Sequence, residues 1–189
     1  LIKGALTCTL PDPRFAYVAP YYAQAKDVAW QYLKQYTSVI PGMSANESEL
    51  RVDLPGGRRI RLYGAENYDR MRGLYLDGVV LDEYADMDPR VWPQVIRPAL
   101  SDRRGWAAFI GTPKGRNSFY DLFDAAGKSP EWFAAILRAS ETKIVDAGVL
   151  LTTVGGQPSL VFDGVSAFMV TSVLASTFIT VSAGTVLAV

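Results

Sequence analysis

Residues 76–83 read Leu-Asp-Gly-Val-Val-Leu-Asp-Glu, a short apolar run that ends in two adjacent carboxylates, Asp82 and Glu83. Roughly four to eight apolar residues bounded by polar ones are the pattern of a buried parallel strand. Open α/β sheets bind their ligands just beyond the carboxyl ends of such strands. One carboxylate there can hold a divalent cation, directly or through water. The second is placed to polarise an attacking water. A strand that runs into a solvated acidic turn gives the same pattern, so the pair must be read with its flanks.

Downstream, residues 106–117 read Trp-Ala-Ala-Phe-Ile-Gly-Thr-Pro-Lys-Gly-Arg-Asn. Another apolar run ends in a turn, Gly111-Thr112-Pro113, where glycine and proline stop the strand. A hydroxyl at this tip, Thr112, can hydrogen-bond a terminal phosphate or the attacking water. Upstream, Tyr68-Asp69-Arg70-Met71-Arg72-Gly73 leads into the Asp-Glu strand. Arginine suits charge on a transferring phosphoryl group, although by residue type alone Arg72 also reads as a surface-loop arginine. Gln24 follows an earlier apolar segment, Phe15-Ala16-Tyr17-Val18-Ala19-Pro20. It is either a nucleotide- or DNA-positioning residue or a solvated residue in a helix's first turn.

Taken in order, Phe15 to Pro20 with Gln24-Ala25-Lys26, then Met71-Arg72-Gly73, then Val79-Val80-Leu81-Asp82-Glu83, then Gly111-Thr112-Pro113-Lys114-Gly115 resemble the large terminase subunit of tailed bacteriophages. The resemblance covers about residues 1–145 and is to that subunit's N-terminal ATPase domain. It implies an α/β fold of the P-loop NTPase type, a parallel sheet with helices on both faces. Asp82 would be the Walker B acid that holds Mg²⁺, and Glu83 the acid that activates water against ATP. Gly111 and Thr112 would belong to the motif that couples hydrolysis to movement. Arg72 would reach a neighbouring subunit's nucleotide. The implied partners are double-stranded DNA, a portal protein, a small terminase subunit and further copies in a ring. The implied setting is the host cytoplasm, transiently on the procapsid.

Two features depart from that family. No Gly-x-x-x-x-Gly-Lys-Thr/Ser phosphate loop precedes the Ala19-Pro20 segment. The one Gly-Lys pair, Gly127-Lys128-Ser129, comes after the motifs, and Leu122 stands where the loop needs its earlier glycine. The expectation is a chain that begins just after its phosphate loop, with Leu1 to Leu6 as the end of the following helix. The second departure is residues 146–189, an apolar tail rich in Val, Thr, Ser, Ala and Gly whose only charges are Asp146 and Asp163. It is read as a separate segment, foreign to the domain over residues 1–145. Its last 26 residues, 164–189, are uncharged. They are long enough for a membrane span, but lack a flanking Lys or Arg anchor and an aromatic belt.

The chain has 189 residues, one cysteine and no histidine. Cys8 alone excludes an intrachain disulfide framework, and the lack of histidine excludes Ser-His and Cys-His catalysis within this chain. Net charge is zero, so bulk charge gives no argument for nucleic-acid binding. A local cluster, Arg58-Arg59-x-Arg61, reads equally as the solvated face of a hairpin.

The pattern that must position these residues alternates. Strands are expected at 14–19, 75–81, 106–110 and 132–138. A helix is expected at 21–38, and one opened by Asp88 and Pro89 and carrying Val91, Val95 and Ile96. Another is expected near 117–126. A hairpin over 50–62, turned by Pro55-Gly56-Gly57, reads as an insertion at the sheet edge. Strands at 148–154 and 159–163 complete the expectation. Two rival functions remain: a helicase-like nucleic-acid ATPase, or a non-catalytic membrane or assembly protein acting through the tail. Asp82-Glu83-Tyr84-Ala85-Asp86 does not match the Asp-Glu-x-His or Asp-Glu-x-Asp of helicases.

Overall fold

The computed structural model describes residues 1–137, 152–154, 157–159 and 167–172. The described part forms two units, one over Leu1–Ala107 and one from Ala108 onward.

The first unit is built around β1 (Arg14–Ala19). Five of its six residues are buried, as its near-continuous apolar sequence requires of a strand covered on both faces. β1 pairs in parallel with β4 (Arg58–Gly64) on one side and with β5 (Gly78–Leu81) on the other. β3 (Arg51–Leu54) joins β4 antiparallel, and β2 (Ser44–Asn46) joins β3, giving the order β2-β3-β4-β1-β5. The sheet is therefore mixed, with a parallel centre. The hairpin is no appended edge insertion. Its second strand, β4, matches β1 residue for residue from Arg14↔Arg59 to Ala19↔Gly64, which stacks Ile60 and Leu62 beside Phe15 and Tyr17.

Alternation along the strands divides the apolar residues between two faces. Phe15, Tyr17, Ile60 and Leu62 cluster with Ala5 of α1 (Ile2–Thr7) and with Trp30 and Leu33. α2 (Tyr22–Ala25) continues through a π-helical turn at Lys26–Trp30, which carries Trp30, into α3 (Gln31–Thr37), which carries Leu33. Ala16, Val18, Val79 and Leu81 point the other way and are fully buried. The helix after β5 has its own buried stripe of Val91, Val95 and Ile96, with a π-helical turn at Trp92–Ile96 before α4 (Arg97–Ser101). Asp88 accepts the Arg90 N–H at 2.9 Å, as expected of a residue that opens a helix.

The Arg58 guanidinium, at the start of β4, donates to the carbonyls of Ala5 at 2.9 Å and Cys8 at 3.4 Å. The carboxyl end of α1 therefore lies at the amino end of β4. Arg59 is spent on Asp53 at 2.6 Å, so the basic cluster of the hairpin is used internally rather than solvated. Gly78 must be glycine because Trp106 lies against it: a Cβ there would stand 2.3 Å from the indole.

The second unit contains the end of β6 (Trp106–Gly111), α5 (Ser118–Ala126), β7 (Trp132–Leu137) and β10 (Ala167–Ser172). β7 and β10 pair antiparallel. Asn117 caps α5, its side chain accepting from Phe119 and Tyr120 N–H groups at 3.1 Å. β8 (Thr152–Val154) and β9 (Gln157–Ser159) pair antiparallel with each other. Most of the strand and apolar-element expectations beyond residue 145 lie outside the described residues. Among the described residues no helix is long and apolar enough to cross a membrane.

The amino edge of the first unit is tied by Asp77, which is 6 % exposed. It accepts the Arg14 N–H at 2.7 Å and a two-pronged contact from Arg103 at 2.9 and 3.2 Å. Arg103 also lies over the Tyr75 ring, 4.8 Å from its centroid. Removing one partner of a buried ion pair strands the other. Asp77→Ala should therefore cost about 3 kcal/mol in urea unfolding; a loss below about 1 kcal/mol would make this clasp peripheral.

Candidate active site

β5 is short because its sequence changes character abruptly after Leu81. The backbone pairing with β1 extends one residue further, with the Asp82 N–H donating to the Val18 carbonyl at 2.8 Å. Asp82 is thus still held as a strand residue, and the chain turns only at Glu83. Glu83 has φ of 48°, a left-handed conformation that L-residues other than Asn and Asp rarely adopt. A short 3₁₀ turn, Tyr84–Asp86, follows, with Tyr84 buried beneath it. Backbone strain of this kind at a titratable residue is a frequent mark of functional sites.

The Asp82 carboxylate is half-buried and held at both oxygens. Oδ1 accepts the Glu83 N–H at 3.0 Å. Oδ2 accepts the hydroxyl of Tyr17, which reaches across from β1. Burial pushes the Asp82 carboxyl above the usual range, against the opposing pull of those two donors. Burial also pushes the Tyr17 phenol far up, and the Asp82 charge and hydrogen bond add to it. In the sequence Tyr17 reads only as part of an apolar strand, with no role for its hydroxyl. Its signal was a phenol within an otherwise apolar strand, where the hydroxyl must find a partner.

The other expected residues occupy different places. Arg72 follows the 3₁₀ helix Ala65–Met71 and is half-exposed. Its guanidinium donates to Asp69 at 2.7 Å and to the carbonyl and side-chain oxygen of Gln94, both at 3.3 Å. Gln24 is half-buried in α2, whose first N–H, that of Tyr22, donates to the Glu66 carboxylate at 2.9 and 3.1 Å. Gly64 lies between them, with no room for a Cβ, which would stand 2.3 Å from the Tyr22 nitrogen. In the second unit, Gly111 closes β6 with φ of 152° and Thr112 follows it, half-buried. Gly127-Lys128-Ser129 falls at the carboxyl end of α5, where Lys128 pairs with Asp124, and not at a strand-to-helix turn.

A magnesium ion fits this donor set. Asp82 offers hard carboxylate oxygens with lone pairs left after two hydrogen bonds. Magnesium characteristically takes one or two carboxylates and completes its shell with water and phosphate. Among the described residues no group of three or more His, Cys, Asp or Glu stands together as a ready-made metal cluster.

No family model matches the sequence. The chain is similar to the terminase large subunit of Thermus virus P23-45, 34 % identical over 125 residues that cover 56 % of this chain and 26 % of that protein. It is also similar to the terminase large subunit of Escherichia phage T5, 28 % identical over 126 residues, covering 64 % of this chain and 28 % of that one. The chain thus spans about a quarter of the length of these curated relatives. Its fold is similar to the large terminase ATPase domain of Thermus phage P74-26, with a TM-score of 0.52 and 31 % identity, covering 64 % of this chain and 56 % of that domain.

The raised pKa of Asp82, caused first by its burial, gives a signed prediction. Below the usual value of 3.8 the carboxyl is protonated in both folded and unfolded chains, and its burial carries no charge penalty. As pH rises toward and through the folded value, the unfolded chain releases the proton more readily, and stability is lost. Asp82→Asn should therefore gain in urea midpoint relative to wild type as pH rises from below 4 to 7; a gain that shrinks over that range would contradict the burial argument.

The resemblance carried by the motifs is shared by the sequence comparison and by the fold: this chain is similar to the ATPase domain of phage terminase large subunits.

Proposed function

We propose that the chain is the nucleotide-hydrolysing part of a phage DNA-packaging motor, which couples Mg·ATP hydrolysis to the movement of double-stranded DNA into a capsid. The observation that carries this reading is the Asp82–Glu83 pair at the carboxyl tip of a parallel strand, with Asp82 tied to the neighbouring strand. The similarity to large terminase ATPase domains supports it.

In this reading Asp82 holds magnesium. The ion, when bound, neutralises charge on the β- and γ-phosphates. Glu83 orients the attacking water and takes its proton as the water's oxygen attacks the γ-phosphorus in line and the bond to the β-phosphate oxygen breaks. Thr112, with Gly111 shaping the turn, senses the γ-phosphate and passes its loss to the rest of the motor. Gln24 helps to position the nucleotide. Arg72 supplies positive charge to a neighbouring subunit's transition state, and its contacts with Asp69 and Gln94 keep the guanidinium at the surface for that purpose. α1, whose carboxyl end lies at the amino end of β4, is the helix that would follow a phosphate loop. Portal protein, small terminase subunit and a homo-oligomeric ring, working in the host cytoplasm on the procapsid, complete the proposal.

Backbone amides of a phosphate loop and its lysine provide most of the grip on ATP. No such loop occurs in these 189 residues. The chain by itself should therefore hydrolyse ATP negligibly, even with Mg²⁺ and DNA. Turnover that Glu83→Ala abolishes would instead reveal a phosphate site elsewhere in it. With a phosphate-loop segment joined ahead of α1, turnover should appear. Arg72→Ala should then lose about 10³-fold or more in rate with little change in nucleotide affinity. Mixing it with a Glu83→Ala subunit should restore part of the rate. Full turnover by Arg72→Ala would return that residue to the role of a loop arginine.

A further inference from the structure

β1 is buried, yet it carries one hydroxyl that packing alone does not require. Tyr17 is 3 % exposed, and a phenylalanine ring would fill the same place among Phe15, Ile60, Leu62 and Trp30. What the hydroxyl adds is specific. The register pairs Tyr17 with Val80, so Asp82, two residues further along β5, falls on the same face of the sheet. The phenol donates to Oδ2 of Asp82. The carboxylate's other oxygen accepts the N–H of Glu83 at 3.0 Å, the residue whose backbone is left-handed at φ 48°. One hydroxyl on β1 thus fixes the rotation of the first acid, and that acid in turn steadies the backbone of the second.

Resting on the assignment of Asp82 to a magnesium site, we propose that Tyr17 is a positioning residue for that site: its hydroxyl sets the Asp82 carboxylate in the orientation that receives the cation. A carboxylate oxygen accepts more than one partner, so the Tyr17 hydrogen bond leaves lone pairs for a metal ion or its water. Partners of this kind, which hold a ligand without touching the metal, commonly contribute 10- to 100-fold in affinity, by the roughly known effect of their removal. Tyr17 itself touches neither nucleotide nor water in this role.

The test uses the full 189-residue chain with Mn²⁺ alone as the probe, the bound fraction being read from loss of the free-ion electron paramagnetic resonance signal. The wild-type chain should bind saturably and Asp82→Asn should leave only weak residual binding. Tyr17→Phe should weaken it by about 10- to 100-fold while circular dichroism shows the fold retained. Added to the Asp82→Asn chain, Tyr17→Phe should change nothing further, which separates positioning from a general effect on the fold. Tyr17→Phe binding Mn²⁺ as tightly as wild type would overturn the role of Tyr17 and leave the assignment of Asp82 standing. A further fall in the Asp82→Asn background would also overturn it. Wild-type binding that is absent, or indifferent to Asp82→Asn, would overturn the metal assignment and the proposal with it.

Discussion

β1 is hydrogen-bonded along both edges and covered on both faces, and the rest of the first unit is arranged by that double constraint. A strand so enclosed cannot slip by one residue without turning its buried side chains to the opposite face. Its register with β5 therefore decides where the acids stand. Val18 opposite Leu81 carries the pairing on to the Asp82 N–H, and Tyr17 opposite Val80 brings the phenol beneath the carboxylate. The chain is released only at Glu83, where the ladder stops and the backbone becomes left-handed. The two acids are held differently as a result. Asp82 belongs to the sheet, and Glu83 to the turn that leaves it.

That difference suits the two tasks assigned to them. A group that holds a cation benefits from a fixed position, and Asp82 has donors on both oxygens. Desolvation makes its charged form costly, which favours a cation at the same place. Stability is given up locally in exchange for a poised site, as functional residues often require. The opposite edge of the sheet shows the contrary design. Asp77 is more deeply buried, but Arg103 and the Arg14 N–H meet its oxygens, and the cluster is closed by the Tyr75 ring. The buried Asp77 thus forms a clasp at the amino edge, and the half-buried Asp82 is the proposed cation ligand at the carboxyl edge.

Much of this was legible in the sequence because it follows local rules. The apolar runs of β1, β5, β6 and β7, the Asp88 opening, the helix near 117–126 and the Asp82–Glu83 tip are each written in a few adjacent residues. What was not legible depends on register and on distance along the chain. Nothing local says that Arg58 reaches Ala5, that β4 rather than another strand lies beside β1, or that Arg72 meets Gln94. The π-helical turns at Lys26–Trp30 and Trp92–Ile96 are similarly invisible to a 3.6-residue period. Tyr17 is the instructive omission: its ring reads as core, and only the strand pairing reveals what its hydroxyl does.

In the proposed function Glu83 acts on the attacking water while the rest of the nucleotide site leaves it to that one task. The most direct measurement compares nucleotide retention with hydrolysis in Glu83→Gln, in a chain carrying a phosphate loop ahead of α1. The amide keeps the size and hydrogen-bonding reach of the acid but cannot take a proton. Glu83→Gln should bind Mg·ATP with wild-type affinity and retain it uncleaved over many wild-type turnover times. Hydrolysis at the wild-type rate would contradict it, and the acid at the tip of β5 would then be a structural feature of the turn.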